Sequence, residues 1–382
     1  MNSVRSSPLR LRVAALSVGS VALVIPGLTC AGPIQSTVES VIFSNSATLT
    51  DSEGGGANSS ANTSLGTSAM PKFDSNTGVL TGATINLNST RSQWVSVTST
   101  DGPNNGTDPS VTTTGTGSST ARLQAPGVDN TFSSITASGS CTGTRLGACN
   151  SGATTTAPSP TSLNAAVPDA NLIDYVGSGS FAVTRTTPSM SAEQLLNKFT
   201  GVESTQYTLD WSGDLSATYD YLLHAAPSFT GSGTSLMLTL DLGNVFLNDV
   251  ASSNFNLFNL VGNRVGLDLD SILGSGDTSK FMSNLAPFAD LGAGESNSYW
   301  VSLVTTDMGT FSANYALTFS DADVGAASSR WDNLQMTLNV TGSITGSIID
   351  AFAPTASIPE PTTLALLGLG LAGISVSRRR RQ

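Results

Sequence analysis

The sequence predicts an all-β protein, with two antiparallel sandwich-like domains set between an N-terminal export signal and a short C-terminal membrane helix. Three observations carry this. Apolar residues recur with period two along most of the chain, the spacing that puts one strand face on a core and the other in water. Serine and threonine make up roughly a quarter of the 382 residues, beside 38 glycines and 16 prolines, a composition of strands and turns. Hydrophobic residues still reach 39%, too many for a disordered acidic chain and enough for a core.

Residues 1–31 read as a signal peptide. Arg5, Arg10 and Arg12 form a basic start, and the apolar run from Val13 to Ile25 is too short to span a bilayer. Pro26 and Gly27 break it before the small residues Thr29 and Ala31, so cleavage is expected before Gly32. Lipid attachment at Cys30 is the rival reading. Gly27, Leu28 and Thr29 match its recognition pattern poorly.

The first body domain is placed at residues 38–222. Val79, Thr81, Ala83, Ile85 and Leu87 mark one strand face, and Leu215, Ala217, Tyr219 and Tyr221 mark another against Ser216, Thr218 and Asp220. Cys141 and Cys149 are the cysteines left after signal removal, and outside the cytoplasm a disulfide is the default for such a pair. A redox or metal pair is the alternative, opposed by the seven-residue spacing and the lack of a nearby histidine. One helix is expected: Ser191 to Gln194 has capping-box spacing, followed by Leu195, Leu196 and Phe199, with Gly201 to close it. Residues 223–230, centred on His224 to Ser228, read as a linker. The second domain is placed at 231–349, with strands over Phe311 to Ser320 and Leu334 to Thr341.

The C-terminal end carries three parts in order. Pro359, Glu360 and Pro361 precede an apolar stretch, 362–376, and then come Arg378, Arg379, Arg380 and Arg381. As a helix the stretch covers about 22 Å, short of the roughly 30 Å hydrocarbon core unless flanking residues and snorkelling arginines contribute. The arginines form a stop-transfer cluster that the positive-inside rule keeps in the cytoplasm. This arrangement, over 357–382, resembles the PEP-CTERM sorting signal of Gram-negative bacteria; the rival is a plain membrane anchor. The resemblance implies export across the inner membrane, transient anchorage by the helix, and cutting near Pro359 by an exosortase-type enzyme. Release or transfer to the cell surface or extracellular matrix then follows.

Two weaker resemblances cover the body. Lys72 to Asp74, Gly78 to Ile85, Asp174 to Gly179 and Ala217 to Tyr221 resemble the choice-of-anchor E domain of surface proteins. That family is named for its anchoring habit and implies no activity. Asn256 to Leu260, Gly266 to Asp270, Leu285 to Phe288 and Leu291 to Ser296, with the last two strands, resemble an immunoglobulin-like module, a likeness of fold alone.

Composition narrows the chemistry. The net charge is −11, and losing both ends removes seven arginines and one glutamate, leaving the body near −17. Such a surface cannot neutralise phosphates, so no nucleic-acid partner is expected. With one histidine and three cysteines, most zinc sites and His-based triads are excluded; no cofactor and no metal site are expected. A triad would have to use His224, and the chain has no Gly-x-Ser-x-Gly elbow. The segment Asp101 to Asp108 reads as a turn rather than a calcium loop, because Pro103 occupies its third position. Asp268, Asp270, Asp277, Asp321 and Asp323 read as solvated, with a weak calcium site the alternative. Trp94, Trp211, Trp300 and Trp331 are assigned to core packing, with sugar stacking as the alternative. The expected role is structural or adhesive, within an exopolysaccharide layer, and not enzymatic. The alternatives are a secreted enzyme acting on polysaccharide and a calcium-bridged adhesin.

Overall fold

The computed structural model describes residues 32–37, 40–52, 57–99, 110–144, 147–194 and 203–346. The signal peptide, the Asp101 to Asp108 segment and the whole sorting tail, including Pro359, Glu360, Pro361 and Arg378 to Arg381, lie outside them. No helix among the described residues is long and apolar enough to cross a membrane.

The first sandwich is built from β1 (Ile34–Thr37), β2 (Val41–Ser52), β3 (Asn58–Pro71), β4 (Val79–Ser99), β5 (Ser110–Ala125), β6 (Val128–Thr144), β7 (Cys149–Asn150), β8 (Thr154–Thr155), β9 (Ser159–Ala166), β10 (Ser180–Gln194) and β11 (Glu203–Leu222). In one sheet β4 and β11 form the centre. β1 and β2 follow one another along the outer edge of β11, and β9, β8 and β7 along the outer edge of β4. The facing sheet runs β3-β10-β5-β6, and every pairing in both sheets is antiparallel. At about 3.3 Å per residue, β4 and β11 run some 65 Å, so the sandwich is long and its core extended.

That core follows the period-two pattern. Ala83, Ile85, Leu87, Val95 and Val97 from β4 meet Tyr207, Leu209, Trp211 and Leu215 from β11. Trp211 is fully buried, edge-on to Phe43 and Phe132, and its indole N–H donates to Ser89 Oγ at 2.9 Å. The buried phenols are likewise satisfied: Tyr207 donates to Gln93 Oε1, Tyr175 to the Pro126 carbonyl and Tyr219 to the Pro71 carbonyl.

Two expectations change here. Thr81 does not share the face of Ala83, because the register shifts between Asp220 and Tyr221, which pair with Gly82 and Leu80. This bulge at Thr81 turns Leu80 into the first core and leaves Val79 for the second. The helix is also overturned as far as it is described. Ser191 to Gln194 end β10, with Met190, Ala192 and Gln194 buried and Ser191 and Glu193 half-buried. Pairing with β3 and β5 on both sides outweighs the local capping signal. Residues 195–200 lie outside the described residues.

The second sandwich comprises β12 (Pro227–Ser228), β13 (Met237–Phe246), β14 (Ala251–Asn259), β15 (Leu267–Gly276), β16 (Phe281–Ser283), β17 (Phe288–Leu291), β18 (Ser296–Leu303), β19 (Gly309–Asp321) and β20 (Leu334–Thr345). One sheet runs β12-β14-β18-β16 and the other β13-β20-β19-β15-β17. The first edge changes sheets: β12 pairs antiparallel with β14, while β13 pairs with β20 in parallel. The expectation of wholly antiparallel sheets is therefore corrected at β13. Phe255, Leu257, Leu267, Val301, Leu317, Phe319, Met336 and Leu338 fill the core between the two sheets.

Candidate functional site

The two sandwiches meet without a free linker. Residues 223–230, read from sequence as a spacer, hold β12, and His224, Ala225, Ser228 and Phe229 within them are buried. The reason is long-range: His224, Ala225 and Ala226 each have a hydrogen-bond partner on a distant element. His224 Nε2 donates to the Ser75 carbonyl of the first sandwich at 2.7 Å, and Nδ1 lies 2.7 Å from Asp321 Oδ2 at the end of β19. Asp321 also accepts the backbone N–H of Ala225 (2.8 Å) and of Trp331 (2.7 Å). Both oxygens of this buried carboxylate are thus occupied. Arg264 Nη1 donates to the His224 carbonyl at 2.9 Å, and Asn259 Oδ1 accepts the Ala226 N–H at 3.0 Å.

The β19–β20 loop completes the lock. Gly325 has φ of 59°, and a Cβ there would stand 2.2 Å from the Leu80 carbonyl oxygen, so only glycine fits. The next residue, Ala326, donates its N–H to that same carbonyl at 2.8 Å and is packed into the first core. Ser329 Oγ accepts the Leu80 N–H at 3.0 Å and donates to the Ala326 carbonyl at 2.7 Å. In exchange Val79, fully buried, belongs to the second core.

Beside this junction opens a cavity of about 470 Å³. Asn76 and Thr77 contribute from the first sandwich, and Leu236, Arg264, Trp331 and Gln335 from the second. Trp331 lies against the His224 ring, centroids 3.7 Å apart and planes within 9°, yet remains 40% exposed.

These positions revise the expected side-chain roles. Of the four tryptophans assigned to the core, Trp211 is buried and Trp94 half-buried, while Trp300 and Trp331 are exposed. Asp321 is buried rather than solvated. Asp268 is half-buried, and burial raises its carboxyl above the ordinary range, with nearby Asp270, Asp290 and Asp323 adding to the rise. Asp270 accepts from Ser320, Asp277 from the Ser312 N–H, and Asp323 pairs with Arg330. No group of three or more His, Cys, Asp or Glu among the described residues is placed to hold a metal ion. His224 and Asp321 share the orientation of a base and its positioning carboxylate, but Nε2 faces a backbone carbonyl where a hydrolase would place a hydroxyl. Cys141 and Cys149 form a disulfide, Cα–Cα 5.8 Å, that ties β6 of one sheet to β7 of the other.

Sequence reasoning missed Asp321, Arg264 and Trp331 as a group. No spacing rule connects them, and the single histidine, His224, reads from sequence as part of a linker.

The sorting tail is where a known family is met. Residues 357–381 match the PEP-CTERM protein-sorting motif. The motif marks an exported protein, held transiently in the membrane by its C-terminus and handled by exosortase-type machinery. No curated protein matches the chain. Among solved structures, the PapD-like domain 7 of human CEP192 aligns at 8% identity over 28% of this chain and 82% of that one, TM-score 0.22. The Vibrio cholerae VesB protease aligns at 14% over 34% and 37%, TM-score 0.22. WR4, a C. elegans MSP family member, aligns at 6% over 28% and 92%, TM-score 0.19. Likenesses this remote carry no argument about what the chain does.

Proposed function

We propose that the exported chain is a structural or adhesive protein of the exopolysaccharide layer, whose two sandwiches act as one stiff spacer rather than as an enzyme. In this reading the first is a choice-of-anchor E-like domain and the second an immunoglobulin-like module. The observation that carries it is the exchange of Val79 and Ala326 between the two cores. Bending the junction would expose both side chains and break the bonds of Leu80 to Ser329 and Ala326 and that of His224 to the Ser75 carbonyl. Each such bond left unmade costs about 1–3 kcal/mol, so the joined state is strongly preferred. The body charge near −17 keeps the particle soluble and apart from its copies. Small-angle X-ray scattering of the secreted protein tests the stiffness. One arrangement of the two sandwiches should fit the whole curve; a curve that needs a range of interdomain angles contradicts the spacer.

A further inference from the structure

We infer that the junction cavity is a binding site for an acidic saccharide, a pyranose ring carrying a carboxylate. The inference rests on the matrix reading above and gives it a ligand. Its volume, about 470 Å³, lies within the range of small-ligand sites, roughly 300–1,000 Å³. Trp331 presents a rigid apolar plate: its backbone N–H is fixed by Asp321, and its ring is backed by His224, itself tied at both nitrogens. An indole exposed in this way stacks on the C–H face of a sugar ring while its edge stays wet.

Three polar groups line the same cavity with unused capacity. Arg264 spends Nε on the Val261 carbonyl and Nη1 on the His224 carbonyl, and its Nη2 makes no hydrogen bond among the described residues. Gln335 donates through Nε2 to Thr318 and Asn333, leaving Oε1 as an acceptor. Asn76 donates Nδ2 to Asp74, leaving Oδ1. A donor on a fixed guanidinium beside two carbonyl acceptors suits a carboxylate flanked by hydroxyls. The charge around the cavity points the same way. The body is strongly acidic, yet among the described residues no carboxylate lines this cavity, and both oxygens of Asp321 just behind it are engaged. Among the described residues Arg264 is the one permanently charged side chain in the wall.

The test titrates the purified protein with trigalacturonic acid and with maltotriose, by calorimetry and by tryptophan fluorescence. Trigalacturonic acid should bind about tenfold or more tightly than maltotriose, the margin of a charge-assisted hydrogen bond. Arg264→Gln should erase that margin, and Gln335→Leu, on the exposed rim, should weaken both sugars several-fold without moving the melting temperature. If Arg264→Gln disturbs the junction, the Gln335→Leu result and the wild-type preference still decide. Binding of neither sugar, equal binding of both, or a margin that survives Arg264→Gln overturns the site. Stiffness is read separately by scattering, so a cavity that binds no sugar leaves the spacer reading standing.

Discussion

His224 and Trp331 lie face to face, ring centroids 3.7 Å apart, on segments joined through a third residue, Asp321, whose Oδ2 lies 2.7 Å from His224 Nδ1 and accepts the Trp331 backbone N–H. The stack holds the start of the second sandwich against the loop that enters the first. Without Asp321 the stack loses the one residue that ties its two halves to each other, and His224 keeps its bond to the Ser75 carbonyl.

Asp321→Ala leaves the imidazole and two backbone N–H groups without their acceptor. Removing one partner of a buried charged or strongly polar set costs about 3–5 kcal/mol. Urea unfolding should show a loss of that order in the second sandwich. A loss under about 1 kcal/mol would mean that the network is not what fixes the junction.

Gly325→Ala puts a methyl group against the Leu80 carbonyl at a left-handed φ. Strain of this kind costs about 1–3 kcal/mol, and here it is relieved by withdrawing Ala326 from the first core. The variant is expected to become sensitive to limited proteolysis around residues 222–230, with each sandwich still folded by circular dichroism. An unchanged digestion pattern would contradict the interlock.

The Cys141–Cys149 disulfide joins two facing sheets across a sequence separation of 8. Loop-closure entropy makes such a link worth about 2–3 kcal/mol. Replacing both cysteines by serine should lower the unfolding free energy of the first sandwich, read from urea denaturation, by that amount and leave the junction intact.

Burial raises the phenols of Tyr175, Tyr207 and Tyr219, with Tyr207 pushed up to about 12 from an ordinary 10.0. A raised folded value favours the neutral phenol. Its contribution is fully present below about pH 10 and is lost as pH rises through the folded value. For Tyr207 the loss is on the order of 3 kcal/mol. Phenolate absorbance of these three should therefore appear together with loss of structure, above pH 10. Smooth titration near pH 10 with the fold intact would show that they are reachable by water.

Much of the architecture is written in the alternation of single strands. Leu334, Met336, Leu338 and Val340 turn inward or toward the core edge as their spacing requires, and Tyr219 does so on β11. What the pattern cannot carry is any feature set by a partner far along the chain. The bulge at Thr81 depends on pairing with Asp220 and Tyr221. Ser191 to Gln194 satisfy a helix-capping spacing, yet two neighbouring strands claim them. His224 looks like part of a spacer because its partners stand 149 residues before it and 97 after it. Asp321 looks like surface for the same reason. The sorting tail is the opposite case. Its Pro-Glu-Pro, apolar stretch and arginines are local and ordered, so the sequence alone suffices to read them.

The most direct test of export and tail processing is intact-mass and C-terminal peptide analysis of the protein recovered from cell membranes, medium and matrix of the producing cells. Chains ending near Pro359, without Arg378 to Arg381, should be enriched in the matrix fraction. Chains that still end at Gln382 and stay in the membrane fraction would contradict it.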